Sequence, residues 1–80
     1  MKTIEEVLKE IRPEFDFAAS ADYFEDGMLD SFDMVMLVSE LDKNFGISIN
    51  GMDILPENFR NLTAIEALVQ EYTIQEYTKG

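Results

Sequence analysis

The sequence predicts an all-α fold, a small bundle of three longer helices and one short helix with a long first loop. Three observations lead to this prediction. Apolar residues recur at helical spacing in three segments, each of these segments opens on an N-capping pattern, and no two segments alternate as paired strands do. A length of 80 residues corresponds to a single domain, residues 1–80.

The first helix is predicted over about residues 3–12. Thr3 and Glu6 have the Thr-x-x-Glu spacing of a capping box. Pro13 ends the helix because a proline restrains the residue before it to extended conformations. The apolar stripe of this helix has the spacing i, i+3, i+4, i+7 and consists of Ile4, Val7, Leu8 and Ile11.

The connection over residues 14–29 is long for so small a domain. Asp26-Gly27, near its end, is a turn signal that directs the chain into the next helix. Residues 17–21 allow a short helical turn. We expect the larger apolar side chains of the connection to pin it against the bundle, namely Phe15, Phe17, Tyr23, Phe24 and Leu29.

The second helix is predicted over residues 31–45. Asp30 is its N-cap, with Asp33 as the acidic partner at the third helical position. Ser31 then becomes the first helical residue, so its hydroxyl is not needed for capping and can face solvent among unpaired backbone N–H groups. Gly46 is a typical helix stop. The apolar residues at helical spacing are Met34, Val35, Leu37, Val38, Leu41 and Phe45.

The last third of the chain predicts an extended loop and two helices. Pro56 favours a short helix over residues 56–60, and Thr63 with Glu66 forms a further capping box that opens a helix over residues 63–73. The tail 74–80 could extend this helix, although Thr73 and Ile74 are weak helix formers. The predicted core consists of Val7, Leu8, Ile11, Val35, Val38, Leu41, Phe45, Ile47, Phe59, Leu62, Ile65, Leu68 and Val69.

The composition excludes several classes of function. The chain has no cysteine and no histidine, which excludes disulfides, the common zinc sites and Cys or Ser-His nucleophiles. No cluster suited to acid–base catalysis or to a dedicated metal site is found, so we expect no enzyme activity of its own. No segment has the length to span a bilayer, and we expect a cytoplasmic protein.

The net charge of −11 predicts the kind of partner. Such a charge repels nucleic acid and anionic membranes and disfavours self-association, so we expect a monomer that meets proteins with basic surfaces. No Lys or Arg occurs between Arg12 and Lys43. The acidic residues of this interval surround Ser31, which favours electrostatic steering of basic enzymes to it over a merely solvated acidic face.

The segment Gly27-Met28-Leu29-Asp30-Ser31 and the apolar helix after it resemble the phosphopantetheine-binding acyl carrier proteins, over about residues 23–69. The resemblance implies a four-helix bundle in which Ser31 carries a 4′-phosphopantetheine arm that holds an acyl or aminoacyl group as a thioester. It also implies that a phosphopantetheinyl transferase attaches the arm from coenzyme A. Asp30 then helps to position Mg²⁺ in that transfer, and Leu29 and Phe32 lie beside the arm.

Residues around the serine are candidates for partner recognition. Met36 is adaptable at an interface, although it could equally pack under the long loop. The acidic side chains near Ser31 complement basic rims on partner enzymes. The candidates are Asp26, Asp33, Met36 and Glu40.

The spacing within the motif separates this chain from the commonest carriers. Phe32 stands where fatty-acid carriers have leucine, and two residues rather than one separate Gly27 from Asp30. This pattern is similar to the stand-alone D-alanyl carrier proteins, which an adenylating ligase loads. Two alternatives therefore stand beside a general acyl carrier: a D-alanyl carrier for cell-envelope modification, and an unmodified docking module that would tolerate Ser31→Ala.

Overall fold

The structure, a computed structural model, describes the backbone of residues 2–79 and the side chains of residues 2–73. All the regular secondary structure in this part of the chain is helical, which confirms the predicted all-α fold and the four helices. Two 3₁₀ turns lie in the connections, at Phe17–Ala19 and Gly51–Asp53. The four helices are α1 (Ile4–Ile11), α2 (Ser31–Phe45), α3 (Pro56–Phe59) and α4 (Leu62–Lys79).

The core lies where α1, α2 and α4 meet, with α3 closing one side. Of the predicted core residues, Ile11, Phe45 and Leu62 are partly buried against it, and Val35 is exposed. The buried apolar side chains are Ile4, Val7, Leu8, Phe17, Tyr23, Leu29, Met34, Leu37, Val38, Leu41, Ile47, Ile49, Phe59, Ile65, Leu68 and Val69.

The prediction that Val35 belongs to the core is wrong. Its side chain is 58% exposed. The buried face of α2 repeats with the spacing i, i+3, i+4, i+7 from Met34 to Leu41, and Val35 stands about 100° further round the helix than Met34. Since both residues are apolar, the pattern in this helix allowed either of two stripes to face inward.

The start of α4 also differs from the prediction. Asn61, not Thr63, caps this helix, because the Asn61 side-chain oxygen accepts the backbone N–H of Ala64 at 2.8 Å and the Asn61 carbonyl accepts that of Ile65 at 3.1 Å. The predicted box of Thr63 and Glu66 is therefore replaced by a cap two residues earlier. The helix also continues beyond the predicted residue 73, to Lys79. Residue 80 and the side chains of the tail 74–80 lie outside the described residues.

The long connection between α1 and α2 is a packed segment. Phe17 and Tyr23 are buried, with ring centroids 5.0 Å apart in an edge-to-face arrangement. The Tyr23 backbone N–H donates to the carbonyl of Arg60 at 2.6 Å, and the Tyr23 carbonyl accepts the N–H groups of Met28 and Leu29 at 2.8 and 3.1 Å. The aromatic anchoring predicted from the sequence is thus confirmed for this pair, and it fixes the point from which the chain enters α2.

Candidate functional site

The candidate site is the first turn of α2. Asp30 has an extended backbone, and its Oδ1 accepts the backbone N–H of Asp33 at 2.8 Å. In return, Oδ2 of Asp33 accepts the backbone N–H of Asp30 at 3.3 Å. The predicted capping box is therefore confirmed, and Ser31 is the first residue of the helix.

Ser31 is exposed at this helix start, and the cap that the helix needs is supplied by its neighbour. The chain has four serines, and the structure distinguishes this one from the rest. Ser20 donates its hydroxyl to Asp26 at 2.5 Å, Ser39 lies in the middle of α2, and Ser48 lies in the loop after it. Only Ser31 combines an exposed hydroxyl with the positive end of a long helix.

The charge at the helix start is set by Asp30. Its pKa is lowered from the usual value of 3.8, first by the backbone N–H of Asp33 and also by the positive charge of Arg12. Asp30 is therefore ionised at neutral pH. Only its Oδ1 accepts the capping hydrogen bond, and the side chain remains largely exposed.

Arg12, the C-cap residue of α1, completes the site. The Arg12 guanidinium places Nε and Nη2 each 2.9 Å from Oδ2 of Asp33. Its Nη1 lies 3.2 Å from a carboxylate oxygen of Glu14, and Nη2 lies 3.8 Å from Oδ2 of Asp30. Hydrogen bonds to Asp33 first, and to Glu14, raise the pKa of Arg12 above its ordinary value. Sequence patterns did not indicate this residue, because the two members of the pair are separated by 21 positions and no local motif contains both.

Two of the predicted site residues are buried. Asp33 is only 3% exposed, and its carboxylate is occupied by the cap and by Arg12, so little of its surface is available for the partner recognition predicted for it. Leu29 belongs to the hydrophobic core, and its place beside a prosthetic arm stays a prediction. These two buried residues hold the chain on either side of the exposed segment formed by Asp30, Ser31 and Phe32.

The other predicted residues are accessible. Phe32 is 72% exposed directly after Ser31, and Asp26 is exposed in the preceding loop. Met36 is partly exposed and lines a groove between α1 and α2 with Glu40. The structure also exposes Val35, Met52 and Leu55, which the sequence analysis did not assign to the surface; their apolar character alone could not separate surface from core.

The groove beside Met36 has an acidic rim. Glu10 and Ile11 of α1 form one wall, and Met36, Ser39 and Glu40 of α2 form the other. Met36 thus lines this groove with 36% of its surface exposed. Among the residues whose side chains are described, no group of three or more acidic side chains is arranged to hold a metal ion.

The comparison with protein families decides which kind of site this is. A family model described as a phosphopantetheine attachment site matches residues 1–69, which is most of the chain. The chain belongs to the phosphopantetheine attachment family. No curated protein and no solved structure matches it.

Members of this family are carrier domains, in which a serine holds a covalently attached 4′-phosphopantetheine. The carrier domain itself is not catalytic, and it interacts with phosphopantetheinyl transferases and with biosynthetic enzymes. Its function is to hold cargo on the prosthetic group. No helix in the described part of this carrier is long and apolar enough to cross a membrane.

The first turn of α2 fits the prosthetic group. The attachment is a phosphodiester, which needs an accessible hydroxyl and tolerates neighbouring backbone N–H donors. Ser31 offers both, since it is exposed and stands at the first position of a 15-residue helix. Ser31 would therefore hold the group, which supplies the thiol that this cysteine-free chain lacks.

Proposed function

We propose that Ser31 is the attachment serine and that the protein carries an acyl or aminoacyl group as a thioester on its phosphopantetheine arm. One observation carries the proposal: Asp30 caps α2, so the hydroxyl of Ser31 is left exposed at the first position of the helix. In a helix capped by the serine itself, the hydroxyl would be engaged with backbone N–H groups.

The proposed modification needs one reactive atom of this chain. Oγ of Ser31 attacks the phosphorus of coenzyme A that bears the pantetheine. The new Ser31 P–O bond forms, the bond to the adenosine-bearing phosphate breaks, 3′,5′-ADP leaves, and the hydroxyl proton passes to a base of the transferase. Asp30 supports this step, because its exposed carboxylate is ionised and can help to hold Mg²⁺ together with phosphate oxygens.

The surface around Ser31 supports recognition by enzymes with basic rims. Phe32 offers an exposed apolar contact. Met36 and Glu40 combine an adaptable side chain with negative charge in the groove beside it, and Asp26 adds charge in the loop before α2. We expect the protein to meet these enzymes as a monomer in the cytoplasm, since a net charge of −11 opposes self-association.

The finer proposal concerns the enzyme that loads the carrier. The Gly27-x-x-Asp30-Ser31 spacing, with Phe32 after it, resembles carriers served by an adenylating ligase, including the D-alanyl carriers. We therefore propose loading by an acyl or aminoacyl adenylating ligase, with D-alanine as the first cargo to test.

The experiment is intact mass spectrometry after incubation with coenzyme A, Mg²⁺ and a broad-specificity phosphopantetheinyl transferase. We expect the wild type and Ser39→Ala to gain one phosphopantetheine and Ser31→Ala to gain none. Ser39 is the matched control, since it is an exposed serine of the same helix. If folded wild-type protein gains nothing, the proposal is wrong and an unmodified docking module is favoured. Incubating the modified protein with ATP and a D-alanine-activating ligase then tests the cargo.

A further inference from the structure

We propose that Arg12 is a positioning residue that fixes the first turn of α2, and with it Ser31, for attachment of the prosthetic group. The inference rests on the proposed function of Ser31. It assigns a role to a residue in a different helical unit, which neither the family match nor the sequence motif identifies.

Arg12 is well placed to act as a fixed anchor. It is the C-cap of α1, and its backbone N–H donates to the Leu8 carbonyl at 3.0 Å. The backbone of Arg12 is therefore held by a helix whose apolar face is in the core. From this position the guanidinium reaches the start of α2, where two of its nitrogens contact one oxygen of Asp33.

The oxygen that Arg12 contacts also holds the capping box together. Oδ2 of Asp33 accepts the backbone N–H of Asp30 as well as the hydrogen bond from Arg12. Because the Asp33 side chain is almost completely buried, its negative charge requires a close positive partner. The ion pair with Arg12 therefore holds the Asp33 carboxylate in the position from which it accepts the Asp30 N–H.

Among the residues whose side chains are described, Arg12 is the only cation that forms an ion pair with Asp33. The next basic residues are Lys9, on the exposed side of α1, and Lys43, in the last turn of α2. Without Arg12, the buried Asp33 carboxylate would have no charged partner and would turn towards water, which weakens its bond to the Asp30 N–H. Ser31 lies between these two residues, so its hydroxyl would lose its fixed position.

The closing experiment measures the rate at which a phosphopantetheinyl transferase modifies the full chain. The concentration of the carrier chain, as the substrate, is varied so that kcat and KM are obtained separately. We expect Arg12→Gln to lower kcat about tenfold, because displacement of a reacting group reduces rate even when binding persists. KM should change less, since the exposed recognition residues are untouched. Arg12→Lys should recover part of the rate, because it restores the charge but not both contacts to Asp33.

Two control variants distinguish a loss of positioning from a general loss of positive charge and from a general loss of stability. Lys9→Gln removes the same charge from the same helix and should keep the wild-type kcat. Leu68→Ala removes a buried side chain of α4 and should lower stability while leaving kcat unchanged at a temperature where the variant is folded. If Arg12→Gln does not fold, kcat of Arg12→Lys is compared with kcat of the wild type instead. This variant keeps the positive charge and should still show a reduced kcat.

Amide hydrogen exchange on the unmodified protein provides a readout independent of the transferase. In Arg12→Gln the backbone N–H of Asp30, which Oδ2 of Asp33 accepts, should exchange faster, with a smaller change in α4. A folded Arg12→Gln with wild-type kcat, or an equal loss of kcat in Leu68→Ala, would overturn the positioning role alone. Absence of any modification of wild-type Ser31 would instead overturn the proposed function, and the positioning role with it.

Discussion

Two helices of this protein, α1 and α2, begin with the same pattern of reciprocal hydrogen bonds, but the residues that form it differ. At α1, Oγ1 of Thr3 accepts the backbone N–H of Glu6 at 3.2 Å, and the Glu6 carboxylate accepts that of Thr3 at 2.8 Å. At α2, Asp30 and Asp33 make the equivalent pair of hydrogen bonds. Both are capping boxes, but the first lies in solvent and the second has a buried member.

The difference lies in what each box leaves free. At α1 the hydroxyl is itself the cap, so it is engaged in holding the helix. At α2 a carboxylate is the cap, and the hydroxyl of Ser31 is displaced by one position to the first helical residue. A second carboxylate, that of Asp33, is then buried, and Arg12 supplies the positive charge that pairs with it. A helix start can therefore present a serine for chemistry when its capping hydrogen bonds come from other residues.

The largest difference that we expect between the two boxes is in the free energy of unfolding lost when the acidic residue at the third helical position is removed. We expect Asp33→Ala to lower the free energy of unfolding by about 2 kcal/mol, since it removes a buried, charge-assisted hydrogen-bond acceptor and leaves the Asp30 N–H unpaired. Glu6→Ala, at an exposed position, should cost clearly less. Urea unfolding of both variants checks this, and equal losses would show that burial of Asp33 adds nothing.

The hydroxyls of the two boxes should also respond differently. Thr3→Ala removes the cap of α1 and should cost about 1 kcal/mol. Thr3→Ser retains the capping oxygen and serves as its control, with a loss of a few tenths of a kcal/mol at most. The measurement is again urea unfolding. A Thr3→Ser variant as unstable as Thr3→Ala would mean that the methyl group, not the capping oxygen, accounts for the effect.

Acid should weaken the cap of α2 through Asp30. Because the folded pKa of Asp30 lies below its ordinary value of 3.8, this carboxylate contributes stability that is complete well above pH 3.8 and is lost as the pH falls through the folded pKa. Asp30→Asn retains a capping oxygen but cannot titrate. Thermal midpoints measured from pH 6 to pH 2 should therefore fall less steeply in Asp30→Asn than in the wild type, and parallel curves would contradict this assignment.

The smallest expected effect is that of Ser31 on stability. Ser31→Ala should change the free energy of unfolding by less than about 0.5 kcal/mol, because the exposed hydroxyl is not the cap. The comparison with Thr3→Ala is direct, since each variant removes one hydroxyl from a helix start. A loss as large as that of Thr3→Ala would show that Ser31 supports the helix and is not free for modification.

Local patterns predicted the parts of the structure that local interactions determine. The boxes at Thr3 and Asp30 follow from residues three positions apart, and the aromatic anchoring of the long loop follows from its few large apolar residues. The failures have equally definite causes. Val35 lies beside Met34 in a helix with two apolar stripes, and only the packing of the other helices selects between them.

Only those parts of the site that depend on residues close together in the sequence could be predicted. Ser31 and Asp30 follow from the motif, whereas the buried Asp33 is paired with Arg12, the C-cap residue of α1, 21 positions away. Leu29 was assigned by its position next to the motif, but the fold of the preceding loop turns it into the core. At α4, Asn61 and Thr63 were both acceptable caps by residue type, and the sequence pattern alone favoured the wrong one.

Tyr72 determines how much of the chain a minimal version of this domain needs. The matched family region ends at residue 69, yet the Tyr72 hydroxyl accepts the backbone N–H of Asn50 at 2.9 Å and donates to the carboxylate of Asp53. A domain cut at the family boundary would keep Ser31 and lose this tie between α4 and the segment before α3. When the domain is excised or fused to another protein, the junction therefore belongs after Tyr72.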